Sequence, residues 1–258
     1  MHLERLISVL ETVSLTGRNI SAAEVQRLTN LPRPTCYRLI QTLVSHGLLD
    51  NASEKGTFKL GDRFKRIALM GRTDADMRLA AAGILKEAAV TSNDAYFLSR
   101  MRNNGVEIIH VETPDDPSVS FINPGLGFRP MHACSCSKAI AAFSDDGFQC
   151  QILKRSMKAY TENTKTDAES LKAEFQEIRT KGFAECVQEI EVGISSVAAP
   201  VLLRGGAVPF SIGTIGSIRR FTQDRRARLG KELIGIADEI RNRMEVGYFT
   251  ENHAPAAG

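Results

Sequence analysis

Apolar residues at Leu3, Leu6, Ile7, Leu10 and Val13 recur at helical spacing, so the chain opens on an amphipathic helix over Leu3–Leu15, ended by Gly17. Ser21-Ala22-Ala23-Glu24 is an S-x-x-E capping box, in which hydroxyl and carboxylate satisfy the free amides at a helix start. The second helix it begins buries Ala22, Val25 and Leu28 and stops near Thr29-Asn30. Leu31-Pro32 turns the chain, and Pro34 suits the first turn of a third helix. That helix carries Cys36, Leu39, Ile40, Leu43 and Val44 on one face, with Arg33, Thr35, Tyr37, Arg38 and Gln41 largely elsewhere, and Gly47 closes it. Leu48-Leu49-Asp50 and Thr57-Phe58-Lys59-Leu60 flank the polar tip 51–56, a hairpin signal. Helix, short helix, turn, helix and hairpin is the order of a winged helix-turn-helix.

The pattern is helical again from Asp62 to Val90, with a polar break at Gly71-Arg72-Thr73-Asp74 that separates a connecting helix from the first helix of a second domain. Strands are expected at Ala95–Met101 and Val106–Glu112, joined by the turn Arg102-Asn103-Asn104-Gly105. A loop rich in Pro, Gly and Asp covers 113–130, and helices follow at Ser135–Phe143, Gly147–Met157 and Asp167–Lys181, the last ended by Gly182. Strands at Phe183–Gln188, Ser196–Leu203 and Pro209–Ser217 come next, the last two around Gly205-Gly206; a helix from Thr222 to about Val246 closes the domain, and the tail His253–Gly258 reads as disordered. Strand hairpins with helices at both ends predict an α+β domain and not a βαβ enzyme. The expected division is 1–61 for the winged helix-turn-helix, 62–74 for the connection, 75–250 for the second domain and 251–258 for the tail.

Charge changes this picture at one point. Residues 1–72 hold 11 Lys/Arg against 6 Asp/Glu, a net of +5, whereas 73–258 hold 22 against 24, a net of −2. A basic head on a slightly acidic body suits a polyanion-binding module joined to a domain with another task. There is no signal-like leader and no apolar run of membrane-spanning length, so a cytoplasmic protein without membrane association is expected. The five cysteines are an odd number without a secretory signal, which predicts reduced thiols.

Several ordered stretches resemble the IclR family of transcription regulators: Pro32-Arg33-Pro34-Thr35-Cys36-Tyr37-Arg38-Leu39 with Thr42-Leu43-Val44; Phe58-Lys59-Leu60-Gly61; Pro130-Met131-His132-Ala133 leading into Ser137-Lys138-Ala139. Gly182-Phe183, Glu189, Gly193, Ser196-Val197-Ala198-Ala199-Pro200-Val201, Ile215-Gly216 and Arg220-Phe221-Thr222 continue the series, which spans roughly residues 3–246. The resemblance implies a homodimer or homotetramer on double-stranded operator DNA. It also implies a GAF-like C-terminal domain whose small effector shifts DNA affinity, with no cofactor and no catalysis.

In a winged helix-turn-helix the third helix lies in the major groove. Arg33 and Arg38 offer planar forks for guanine or phosphate, and Thr35, Tyr37 and Gln41 stand ready for base or backbone contacts. Lys55 and Lys59 on the wing suit phosphate. The competing reading makes both arginines solvated surface residues or intramolecular ion-pair partners.

By position in the family, Ser135, Cys136, Cys186, Ser196, Gly213 and Ile215 would line the effector pocket. Cys186 stands where the family often has an acid, Ser196 where it often has cysteine, and Gly213 and Ile215 where serines occur, which favours a less polar ligand. The free amides at the start of that helix attract a carboxylate, so an organic acid or aromatic metabolite is expected.

Two other readings use the same residues. Cys134, Cys136 and Cys186, with His132, could converge on zinc or respond to oxidants; against this, alternate residues Cys134 and Cys136 should point to different sides. An enzyme would take Cys136 or Cys186 as nucleophile and His132 as base, but no nucleophile elbow, phosphate loop or paired-carboxylate motif accompanies them. His132 is expected to cap or pack at its loop, Lys138 and Glu189 to stabilise helix and loop ends, and Glu185 and Glu191 to be solvated.

Overall fold

The computed structural model describes residues 2–116, 121–203 and 208–250. The predicted Gly205-Gly206 turn and the tail from His253 lie outside the described residues. The chain divides into two compact units, one ending at Gly71 and the other beginning at Arg72.

The first unit contains α1 (His2–Leu15), β1 (Ile20–Ser21), α2 (Ala22–Thr29), α3 (Arg33–Ser45), β2 (Leu49–Asn51), β3 (Thr57–Leu60) and α4 (Asp62–Met70). Its core is made by Val9 and Val13 of α1, Val25 of α2, and Cys36, Leu39, Ile40 and Leu43 of α3, with Leu49 and Phe58 from the hairpin. Asn30, in the left-handed region at φ 54°, ends α2 and sets the turn into α3. At the far end of α3, Gly47 at φ 67° allows a Schellman closure, its amide donating to the Val44 carbonyl at 2.9 Å and that of Leu48 to Leu43 at 2.8 Å. Gly61 fits where the hairpin meets α3, since a Cβ there would stand 2.2 Å from the Gly47 carbonyl oxygen. The strand order is β1-β3-β2, all antiparallel. β1 was not expected: at two residues it is too short to show a period.

The capping box forms as predicted, with the Glu24 amide donating to Ser21 Oγ at 3.3 Å and the Ser21 amide to the Glu24 carboxylate at 3.2 Å. The bond from Arg18, followed by those from Ser21, lowers the Glu24 carboxyl from 4.5 to about 2. A depressed folded pKa means the contribution is present above the ordinary carboxylate range and fades as pH falls from 4.5 toward 2. Ser21→Ala removes one of the two reciprocal bonds and is expected to cost about 1 kcal/mol, read as a lower urea midpoint with an unchanged slope.

The second unit opens with α5 (Asp74–Ser92), started by a Thr73/Asp76 capping box. β4 (Ala95–Arg102), β5 (Gly105–Glu112), β6 (Gly127–Arg129), α6 (Ser135–Phe143), α7 (Asp146–Leu153) and α8 (Ala168–Lys181) follow, then β7 (Ala184–Val187), β8 (Ile194–Val201), β9 (Phe210–Ser217) and α9 (Gln223–Thr250). The six strands form one antiparallel sheet in the order β6-β5-β4-β9-β8-β7. Two expectations need correction. The loop 113–130 contributes strand β6 at the sheet edge, and α7 ends at Leu153 instead of Met157, its last carbonyls taken by Lys154 and Arg155 amides.

Register places Phe97, Ser99, Ser196, Ala198, Ser211 and Gly213 on one face of this sheet, where α6 packs. Helices α7 and α8 pack on α6 in turn, and Phe175 and Ile178 of α8 complete the core there. The alternate residues Tyr96, Leu98, Val197 and Ile212 turn to the other face, served by α5 and α9. Buried Asp94 ties the α5–β4 turn to the start of α9 by pairing with Arg220 at 3.0 Å and Arg225 at 2.5 Å.

Candidate functional site

The first candidate site is the outside of α3. Its apolar stripe is consumed by the core, so Arg33, Tyr37, Arg38 and Gln41 are exposed and Thr35 is half-buried. Neither arginine forms an ion pair among the described residues, and α3 itself contains no Asp or Glu. The Arg33 guanidinium lies over the Tyr37 ring, 5.7 Å from its centroid, which orders the side chain while leaving its N–H groups outward. Pro32 is the N-cap residue and supplies no side-chain cap, and no acid occupies the first turn, so the helix presents its positive end beside Arg33. On the hairpin, Lys55 and Lys59 are exposed.

The second candidate site lies where the start of α6 meets the sheet. Cys134 takes the N-cap position with extended backbone and no side-chain cap, and Ser135, Cys136, Ser137 and Lys138 are fully buried. The Ser135 and Ser196 hydroxyls bond at 2.7 Å, and Ser211 Oγ donates to the Cys136 carbonyl at 3.1 Å. Cys186 pairs with Ser196 across β7 and β8, Ser196 with Ile215 across β8 and β9, and Gly213 lies between Ala198 and Phe97. All six candidates therefore gather on one sheet face and the helix end above it. Gly213 is held to its type by crowding, for a Cβ would stand 2.5 Å from Phe97 Cζ and 2.6 Å from the Val197 carbonyl oxygen. A separate surface cleft of about 290 Å³, lined by Arg78, Ile109, His110, Val111 and Leu126 among others, includes none of these residues.

The cysteines differ from expectation. Cys134 and Cys136 do not point apart: their Sγ atoms are 3.3 Å from each other in one buried cluster. Alternation holds along a strand, whereas here the chain passes from extended N-cap to helix between the two residues. Burial pushes the Cys136 thiol up, but hydrogen bonding with Cys134, and then with Ser137, helps bring the group below its ordinary range. The bond to Cys136, and then burial, hold Cys134 well above. Burial raises Cys186 to about 12. Among the described residues no three His, Cys, Asp or Glu side chains are grouped to hold a metal ion. His132 is buried and packs as expected, its ring bonded to the Lys158 carbonyl at 2.9 Å and stacked on Tyr160.

Sequence reasoning missed the ion cluster behind this site. Lys138 Nζ, wholly buried in α6, meets Glu174 of α8 at 2.7 Å and Glu189 of the β7–β8 turn at 2.6 Å. Glu185 is not simply solvated, since it pairs with Arg226 at 2.7 Å, while Glu191 is exposed.

A basic helix-turn-helix followed by a sheet-and-helix domain is the arrangement that two family models match. The model of the IclR helix-turn-helix domain covers residues 2–52, and that of the bacterial transcriptional regulator IclR C-terminal domain covers 72–242. The chain belongs to the IclR family. It is 25% identical to the glycerol operon regulatory protein of Streptomyces coelicolor over 88% of each chain, and 22% identical to the transcriptional repressor IclR of Escherichia coli over 92% of this chain and 88% of that one. Among solved structures, the IclR regulator from Alicyclobacillus acidocaldarius superposes with a TM-score of 0.60 at 22% identity, covering 94% and 98% of the two chains. An IclR homologue from Microbacterium hydrocarbonoxydans complexed with 4-hydroxybenzoate gives 0.57 at 21% identity, covering 94% and 100%. The protein is thus a transcriptional regulator with a DNA-binding and an effector domain, and the family and relatives are not enzymes. No helix among the described residues is long and apolar enough to cross a membrane.

Proposed function

We propose that this IclR-family protein binds operator DNA through the outer face of α3 and that a small carboxylated or aromatic metabolite, held at the start of α6, changes that affinity. The observation that carries the reading is the state of Arg33 and Arg38: exposed, without an ion pair among the described residues, on a helix whose reverse face is core. Arg33, Thr35, Tyr37, Arg38 and Gln41 read or orient on the major groove, and Lys55 and Lys59 take phosphates alongside. Operators of this kind are read by symmetric pairs, so the working unit is a homodimer or homotetramer.

At the other end, Ser135 and Ser196 supply hydroxyls, Cys136 and Cys186 thiols, and Gly213 and Ile215 a small and an apolar wall. The amides at the uncapped start of α6 suit the carboxylate of an organic acid. The 4-hydroxybenzoate complex of the related Microbacterium protein supports an aromatic acid as the first compound to try. An effector shifts DNA affinity only through its different affinity for the two states of the protein.

The test is fluorescence anisotropy of the intact protein on duplex fragments from beside its own gene, with and without a panel of aromatic and aliphatic acids. One compound is expected to change operator affinity by about 5- to 150-fold. Binding no tighter to any such fragment than to scrambled duplex overturns the proposal.

A further inference from the structure

We infer that Cys134 and Cys136 are a reversible disulfide site, closed by a hydroperoxide, and that the closed form alters the start of α6 and with it operator affinity. The output rests on the ligand-responsive reading above; the chemistry does not.

Three observations carry it. The two sulfurs are already in contact at 3.3 Å, so a bond requires them to approach by only about 1.2 Å. Second, they do not compete with a metal, since no third His, Cys, Asp or Glu among the described residues is grouped with them to hold one. Third, Ser135 sits between them in sequence and bonds to Ser196 at 2.7 Å, so pulling the flanking sulfurs together must turn the backbone that presents this hydroxyl to β8. Bridges in reducing compartments are characteristically transient and redox-sensing, which is the behaviour such a site would show.

The two thiols have distinct parts. Hydrogen bonding with Cys134 and Ser137 helps lower Cys136 against the opposing effect of burial, which makes it the sulfur that reacts first. Its thiolate attacks one peroxide oxygen and the O–O bond breaks. The departing oxygen takes a proton and leaves as water or an alcohol, and Cys136 becomes a sulfenic acid. Cys134 then attacks the Cys136 sulfur, the S–O bond breaks, and the expelled hydroxide leaves as water with the Cys134 proton. The two sulfurs together lose two electrons, which the peroxide gains. Both thiols are buried, so reaction is expected with a small hydroperoxide and not with a bulky one.

The experiment treats reduced, full-length protein with hydrogen peroxide, blocks remaining thiols by alkylation, and reads peptide masses beside anisotropy on duplex DNA. The peptide spanning 134–136 is expected to lose two hydrogens and regain them with dithiothreitol. Operator affinity should change about fivefold or more and return with reduction. In Cys134→Ser, Cys136 should stop at a sulfenic acid captured by dimedone, and the reversible change in affinity should vanish. Cys150→Ser, at an exposed position, should behave as wild type. The inference is overturned if Cys134 and Cys136 stay reduced at peroxide levels that oxidise Cys150, or if the bridge forms and affinity does not move. Absence of duplex binding in both redox states defeats the gene-control reading, while the peptide masses still decide the chemistry of the pair.

Discussion

Arg33→Ala combined with Arg38→Ala is expected to weaken operator binding on the order of a hundredfold or more. Each guanidinium removed from a base edge costs about 1–3 kcal/mol, and tenfold in affinity corresponds to about 1.4 kcal/mol. Both side chains are exposed, so the fold has little to lose; exposed substitutions usually change stability by less than about 0.5 kcal/mol. The single variants should separate by role. If one arginine reads a base, its loss relaxes preference at a single position of the operator, whereas loss of a phosphate contact weakens all duplexes alike. Tyr37→Ala should mimic a part of the Arg33 effect, because the ring no longer orders the guanidinium above it. Anisotropy with the native operator and single-base variants measures all three. A double variant that binds the operator as wild type does would remove α3 from the interface.

The second large effect is expected inside the other domain. Lys138→Met should cost about 3–5 kcal/mol of stability, because it leaves the buried Glu189 carboxylate without its cation and Glu174 with Lys165 alone, around an apolar side chain. Lys138 is held above its ordinary range: burial lowers it, but Glu189 and Glu174 outweigh that. Glu189 moves up as well, because burial acts on it more strongly than the lysine does. These directions agree once it is seen that one ammonium serves two carboxylates, and that Glu189 Oε2 is buried without a hydrogen-bond partner. A carboxyl raised in the folded state adds stability below its unfolded pKa and loses it as pH rises through the folded value. The deficit of Lys138→Met should therefore shrink in mild acid, and Glu189→Gln added to it should restore a part of the stability at neutral pH. Urea unfolding at several pH values reads this. A loss below about 1 kcal/mol at neutral pH would show the cluster to be dispensable.

How much of this was legible in the sequence varied with the range of the interaction. Local signals were faithful: the Ser21/Glu24 box, Pro34 early in α3, Gly47 after it and Gly182 ending α8 each depend on residues a few positions apart, and each appears in the structure. Elements without a period of their own were not legible. β1 and β6 are defined by the strands they pair with, Ile20 by Phe58 and Gly127 by Ile108. The six proposed effector residues were named through the resemblance, from three strands and a helix, and the sheet register brings them to one face. The Lys138 cluster joins residues from three separate elements, and nothing in the pattern around Lys138 distinguishes it from a solvated lysine. The contact between Cys134 and Cys136 is not legible from alternation, because the backbone changes from extended to helical between the two residues.

The central claim, that α3 and its wing form a phosphate-contacting face, is tested most directly by the salt dependence of operator binding by the intact protein. The account predicts a linear fall of log affinity with log salt, each neutralised phosphate adding about 0.9 to the slope, and a shallower slope for Lys55→Ala and Lys59→Ala. Affinity that stays level across the salt series, or slopes unchanged in both lysine variants, would contradict it.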